Sequence, residues 1–425
     1  MFWLLFTCLF DKNSVLYNNN KRENTMKKYI TFIITLCTIL WFGLSSIAKA
    51  HHKPEEQYFS GNNYSVPGSD NYQKLETELV DNKLSQYVQK QLDDRSKTGL
   101  VNYLLYENGK IVINKKNYND VIKKNKNVLR SNSMGKSMIS YVTGHAVCKY
   151  GIDLNAKMND WAVIDNTLYA DNTLSQVLNM TSGDHNYIGE KKFKGDGYFK
   201  GNKKKVINNK TVFDSMQWFQ GTKKKKENSP YNYSAMSTHV AINYVIHKVG
   251  TENYEKLLKE IFTDHVGVKD TVYFDKVKGD VRIKNPVYMW AEGKKWKWVS
   301  NPEHGNQRYT FWAKSEDYLR VAKTIMNDYH SDSCIGDYLR NIYDNRVDKK
   351  KKQDDTKSVF AYTKQYGGQF HMSLKGTENV IFAMDGYAGQ QVLIDMTSGR
   401  IVIVHTIDRH YNWQKIVYNV MKKGL

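Results

Sequence analysis

The sequence predicts an α+β fold: an antiparallel sheet assembled from both ends of the chain and flanked by terminal helices, with a mainly helical lobe inserted between. Three observations lead there. A helix-spaced run and an Asn-Gly hairpin precede residue 130, helix-spaced apolar positions dominate the middle, and strand-like runs return after residue 365. With 425 residues, 40% hydrophobic and 13% aromatic, the chain can bury a substantial core in one large or two ordinary domains. The pattern favours a single module over 72–425, with a sheet lobe at 72–130 and 356–425 and a helical lobe at 131–355.

Taken in order, the chain begins with a leader. From Met26, Lys27-Lys28 precede an apolar stretch at 29–47 and then Ala48-Lys49-Ala50, the layout of a signal peptide. Residues 1–25 carry no pattern beyond an apolar run at 2–10, so Met26 reads as the start and export to a periplasmic location as the destination. The alternative is a membrane anchor formed by uncleaved 29–47, about long enough to span a bilayer. Cys37 follows Leu36 rather than Gly or Ala, which argues against a lipid anchor.

Removal of residues 1–50 lowers the formal charge from +20 to +16 and leaves only Cys148 and Cys334. Without CxxC spacing these argue against a structural zinc site. Cys148 lies on an apolar helical pattern and reads as a buried thiol, with a single disulfide as the alternative.

Residues 51–71 are polar and read as a flexible tether. Leu75, Leu79, Val80, Leu84, Val88 and Leu92 predict an amphipathic helix over 72–94. Residues 101–106, Asn108-Gly109 and 110–114 predict a β-hairpin. An apolar helix opens at Ser133 and ends near Gly151, and a short helix at 173–180 is closed by Thr181-Ser182-Gly183. Residues 184–230 are lysine-rich loop, interrupted by a helix at 212–219. Further helices are expected after Ser234, at 254–262 and at 315–327. Strands follow at 366–372, 380–384, 391–395 and 401–405, with a tight turn at 396–400, and a final helix at 413–421.

The basic residues fall in short scattered runs such as Lys203 to Lys205 and Lys349 to Lys352. No arginine-rich recognition helix, zinc finger or aromatic RNA-binding motif accompanies them, so no nucleic-acid partner is expected. Weak association with an anionic cell surface is compatible with the charge. No HExxH or clustered ligand set points to a metal, and none of the twelve histidines sits in a nucleophile elbow. No cofactor is expected.

The chemistry-bearing stretch is Ser133-Met134-Gly135-Lys136. Ser-x-x-Lys at the start of a helix places both side chains on one face of its first turn, where free N–H groups favour developing negative charge. A lysine held against a dry wall can lose its proton near neutral pH and draw the proton from the serine hydroxyl. In a lysine-rich chain the motif is weak alone, and a second copy, Ser46 to Lys49, lies in the leader. A second stretch, Tyr231-Asn232-Tyr233-Ser234, leads directly into an apolar helical run and is suited to present a phenol to a cleft. Simple packing is the competing reading for any one of the chain's 30 tyrosines.

Ser133 and Lys136, Tyr233 one hundred residues on, and a glycine-rich segment before a C-terminal strand together resemble the penicillin-recognising serine hydrolases. The segments at 174–183 (LSQVLNMTSG), 311–319 (FWAKSEDYL) and 366–370 (YGGQF) are similar to that family's connecting segments, so the resemblance covers most of 72–425. Two departures stand out. The usual Tyr-x-Asn is here Tyr233-Ser234-Ala235, and the Lys-Thr-Gly of the sheet edge is replaced by Gly386, Tyr387, Ala388, Gly389 and Gln390 after Asp385. Both resemble the branch of 6-aminohexanoate-dimer hydrolase and its esterase relatives. Without the sheet-edge lysine, a penicillin carboxylate has no evident partner.

The resemblance implies a β-lactamase-like fold with the active site between the two lobes. It also implies hydrolysis of a small-molecule or peptide-like ester or amide through a Ser133 acyl-enzyme, with Lys136 and Tyr233 as proton-transfer groups. The oxyanion donors would be the Ser133 N–H and one from the 386–390 segment, where Tyr387 and Gln390 line the pocket. Asp184 reads as a solvated loop carboxylate, with a cationic substrate end as its alternative partner. The alternative function is an impaired member of the fold that binds cell-wall peptide without turnover. Substrate selectivity falls to the loops at 184–230 and 270–310.

Overall fold

The computed structural model describes residues 63–161, 164, 167–184, 186–187, 219–220, 229–276, 287–291, 294–298, 307–349, 359–387, 389–407 and 411–425. The leader, most of the tether, Ala388 and large parts of the two selectivity loops lie outside them. So does the helix expected at 212–219, apart from Phe219, which belongs to a short strand, Phe219–Gln220.

An eight-stranded antiparallel sheet forms the centre. Its order is Val347–Asp348, Thr363–Gly367, Phe370–Leu374, Ile381–Gly386, Gln390–Asp395, Ile401–Thr406, Leu100–Glu107 and Lys110–Lys116. The N-terminal hairpin docks on the last C-terminal strand, with Leu104 opposite Ile403 and Tyr103 opposite Val404, so both chain ends build one sheet. The hairpin turns at Asn108 and Gly109, whose φ values of 51° and 80° are the left-handed pair that a two-residue hairpin turn needs.

Strand alternation divides the core into two layers. Tyr103, Leu105, Leu393, Val402 and Val404 face Val88 and Leu92 of the Lys83–Asp93 helix and Trp413 and Val417 near the C-terminus. Leu104, Tyr106, Val392, Ile394 and Ile403 share the other core with Met138 and Val142 of the Gly135–Tyr150 helix. With both faces covered, the central strands are buried along their whole length.

Four expectations require correction. Only Lys83–Asp93 of the 72–94 run is helical; Asn82 caps it by accepting from the Ser85 N–H. The residues before it run extended along the sheet edge, where the Glu78 N–H donates to the Ile111 carbonyl and the Val80 N–H to that of Val112. An available edge outcompeted helical spacing, and Leu79 is left 62% exposed. The run at 366–372 is two strands joined by Gly368 and Gln369 at positive φ, rather than one. Part of the segment read as a tether is a strand: Asn63–Val66 pairs with Val272–Lys276 in a second, four-stranded sheet completed by Gln307–Ala313 and Leu129–Arg130. The inserted lobe therefore contains a sheet as well as helices.

The fourth correction concerns the thiols. Cys148 and Cys334 form a disulfide across 186 residues of sequence, joining the Gly135–Tyr150 helix to the Cys334–Asp344 helix. Its two ends meet only because those helices pack together. Among the described residues no helix is long and apolar enough to cross a membrane, and residues 29–47 lie outside that set.

Candidate active site

Ser133 sits in a single 3-10 turn, Asn132–Met134, that feeds the Gly135–Tyr150 helix. The turn is anchored on the second sheet, because the Ser131 N–H donates to the Phe311 carbonyl at 2.8 Å and the Ser131 Oγ accepts from the Phe311 N–H at 2.7 Å. Asn132 takes the left-handed conformation at φ 47°, a region that asparagine tolerates better than most residues. This reverses the chain so that Ser133 is half-exposed while Ser131, Asn132, Met134, Gly135 and Lys136 are buried.

Lys136 follows Ser133 by three residues and is 1% exposed, one of the largest fully buried side chains. Its Nζ lies 5.4 Å from the centroid of the Tyr233 ring. Tyr233 occupies the turn before the Ala235–Val249 helix, which Ser234 caps by accepting from the Ser237 N–H. That turn is pinned from below: the Asn232 N–H donates to the Met180 carbonyl at 2.9 Å, and the Asn232 side chain to the Asp184 carbonyl at 3.1 Å. The Tyr233 ring meets the Tyr366 ring edge-on at 6.4 Å, and Tyr231 packs on Tyr366 at 5.0 Å. Burial, with Tyr231, Tyr233 and Asp385 nearby, pushes the Tyr366 phenol up, so it stays neutral.

Gly386 ends and Gln390 begins the two strands of a hairpin, Ile381–Gly386 and Gln390–Asp395, and Tyr387 and Gly389 belong to its turn. It lies against the serine turn. The Asn132 side-chain amide donates to the Tyr387 carbonyl at 2.7 Å and to the Gln390 Oε1 at 3.2 Å, and Gln390 in turn donates to the Thr406 carbonyl at 2.7 Å. A Cβ at Gly386 would sit 2.2 Å from the Ser131 carbonyl oxygen. Glycine is therefore required here by the close approach of the serine turn. Tyr387 is 54% exposed and stands at the tip of the turn. The Gly389 N–H donates back to the Gly386 carbonyl at 3.1 Å, so it is already engaged. Gln390 is buried and ties elements together rather than lining an open pocket.

Asp184 departs from its expected place. It is neither solvated nor directed at a ligand but buried, accepting from the Tyr169 hydroxyl at 2.9 Å and the Ser237 hydroxyl at 3.2 Å. Burial raises its carboxyl above the ordinary range, against the lowering effect of the hydroxyls around it. It braces the Tyr233 turn.

Sequence reasoning missed three residues. Asn132 was legible only as an asparagine before the serine. Tyr366 lay in a stretch read as strand. Gln369, at φ 66° and 1% exposed, joins the lobes: its amide donates to the Leu178 carbonyl at 2.9 Å, its Oε1 accepts from Thr238 at 2.7 Å, and its carbonyl accepts from Ser137 at 2.7 Å.

Compared by sequence with curated proteins, the chain matches none. Solved structures do resemble it. A protein provisionally assigned as a 6-aminohexanoate-dimer hydrolase from Bacillus anthracis superposes with a TM-score of 0.55 at 16% identity, over 84% of this chain and 89% of that one. EstCE1, described as a hydrolase with promiscuous acyltransferase activity, gives 0.53 at 12% identity, over 80% and 98%. A class C β-lactamase gives 0.52 at 12% identity, over 81% and 99%. At such identities these likenesses establish the fold. The Beta-lactamase family model matches residues 84–417, most of the chain and both lobes of the sheet-and-helix architecture described above. The chain is a member of the Beta-lactamase family, and its fold is that of this family of hydrolases.

Proposed function

We propose that this protein is an exported serine hydrolase that cleaves an ester or amide through an acyl-enzyme on Ser133. The observation that carries the reading is the meeting of Lys136 and Tyr233, 5.4 Å from amine to ring centroid, beside a half-exposed Ser133. Membership of the Beta-lactamase family adds support.

In the proposed reaction the Ser133 Oγ attacks the carbonyl carbon while its proton passes to the Lys136 and Tyr233 pair. Collapse of the tetrahedral intermediate breaks the bond to the leaving alkoxide or amine, which takes that proton. Water then adds to the acyl-serine ester, loses its proton to the same pair, and the acid departs as Ser133 recovers its hydrogen. A phenol with a pKa of about 10 accepts protons at neutral pH only beside a cation, and a lysine withdrawn from water is the amine suited to share the task. The oxyanion is assigned to the Ser133 N–H and a second donor from the 386–390 turn other than Gly389, whose N–H is engaged. Export accords with the Cys148–Cys334 disulfide, which persists in an oxidising compartment.

The test is covalent labelling with a fluorophosphonate, together with turnover of p-nitrophenyl esters, D-Ala-D-Ala peptides and linear amide oligomers. Wild type should label at one serine and Ser133→Ala not at all. Folded wild-type protein that neither labels nor turns over any of the panel would replace the enzyme by a peptide-binding module.

A further inference from the structure

Away from the serine turn, the far half of the Gly135–Tyr150 helix carries a second cluster of chemistry-bearing side chains. His145 lies on that helix, His265 ends the helical stretch after Thr251–Lys259, and Asp328 lies in the Ser315–Tyr329 helix. One ring nitrogen from each histidine and one carboxylate oxygen of Asp328 all lie within 4.8 Å of one another. The His265 Nε2 is 3.0 Å from both Asp328 oxygens, and the two imidazoles meet edge-on at 5.2 Å. The Tyr141 hydroxyl also donates to Asp328.

A histidine–aspartate pair steadied by a tyrosine accounts for two of these residues without any ligand. It does not account for His145, whose Nε2 is buried without a hydrogen-bond partner among the described residues. A buried polar atom left so is costly unless something else occupies it.

We propose that His145, His265 and Asp328 form a binding site for a divalent transition-metal ion of the zinc type. Two imidazoles and a carboxylate are a donor set that suits zinc, and also copper or nickel, over magnesium or calcium. Donors about 2 Å from a tetrahedral ion stand roughly 3.3 Å apart, so the present spacings need only small side-chain shifts to close on one. Tyr141 would orient the carboxylate from outside the coordination shell. The His265 side chain is 42% exposed, which leaves a route for the ion and a fourth position for water.

The site lies roughly 18 Å along the helix from Ser133, at 1.5 Å per residue, so it serves as a clamp rather than a participant in acyl transfer. The ion would fasten the nucleophile helix to two neighbours, His265 and Asp328, beside the disulfide that fastens it to a third. Sequence gave no warning, because the ligands come from three segments separated by 120 and 63 positions.

The experiment uses tag-free full-length protein freed of metal by chelation, titrated with zinc by calorimetry and with cobalt(II) by visible absorption. The expected result is saturable uptake of one ion per chain, the absorption of four-coordinate cobalt, and a higher unfolding temperature with zinc. His145→Gln and His265→Gln should each weaken binding at least about tenfold and remove the thermal shift. His265 is partly exposed, so its variant is expected to keep the fold, as far-ultraviolet circular dichroism would verify. Absence of stoichiometric uptake by wild type, or uptake unchanged in a folded His265→Gln variant, overturns the proposal.

Discussion

At the residue scale, the serine turn is shaped by contacts that its own motif does not contain. Asn132 holds the left-handed turn and reaches across to the 386–390 hairpin, so Asn132→Ala is expected to slow fluorophosphonate labelling about tenfold or more while Ser133 remains in place. Tyr233→Phe keeps the ring against Lys136 and Tyr366 but removes the hydroxyl. It should lower kcat by about 10²–10³ and change KM little, as steady-state kinetics on any ester that is turned over would reveal. Gly386→Ala forces a methyl group onto the Ser131 carbonyl. It is expected to cost about 1–3 kcal/mol in urea denaturation and to slow labelling as well, because the strain falls on the turn that carries Ser133.

At the element scale, the Thr363–Gly367 and Phe370–Leu374 hairpin connects the lobes through its turn. Gln369 supplies both side-chain and backbone partners to elements of the helical lobe, and its replacement by Leu would take the acceptor from the buried Thr238 hydroxyl and leave the Leu178 carbonyl with only the backbone N–H of residue 369. A loss of about 2 kcal/mol or more is expected, measured as a lower urea midpoint with unchanged slope. The neighbouring glycines, Gly367 and Gly368, announced a turn in YGGQF. The expectation of one continuous strand followed from weighting the flanking apolar residues above that signal. The 72–94 run failed in a similar way: its period fitted a helix, and the competing partner, the open edge of Lys110–Lys116, was far from evident locally.

At the scale of the whole molecule, stability depends on the disulfide and on histidines buried without charge. The Cys148–Cys334 bond closes a very long loop, so reduction or Cys148→Ser is expected to cost about 2–4 kcal/mol in denaturant unfolding. His405 accepts from Asn102 at 3.5 Å beneath the Tyr318 ring, and burial pushes its imidazole down to about 3. His371 is shifted the same way by burial and by Lys349. Below pH 6.5 the unfolded chain takes up a proton at each position that the folded chain refuses. Stability is therefore full above pH 6.5 and falls with acid, for His405 by about 1.4 kcal/mol per pH unit towards pH 3, and His371 acts in the same direction. His405→Gln, which keeps an acceptor for Asn102, should make the acid limb of a stability-versus-pH profile shallower.

Local pattern was enough for the elements whose reasons are local. The Asn-Gly hairpin, the strands at 381–386, 390–395 and 401–406, the helix after Ser133 and the capped helix after Ser234 each carry their turn, cap or period within a few residues. The α+β architecture followed from where those signals lie along the chain. Packing alone decided the rest: the extended run before Asn82, the sheet inside the inserted lobe, the disulfide, and the burial of Asp184. It also decided the contact of Lys136 with Tyr233, and the meeting of His145, His265 and Asp328. Their common physical reason is that each depends on free energy gained between residues tens to hundreds of positions apart, which no window of sequence contains.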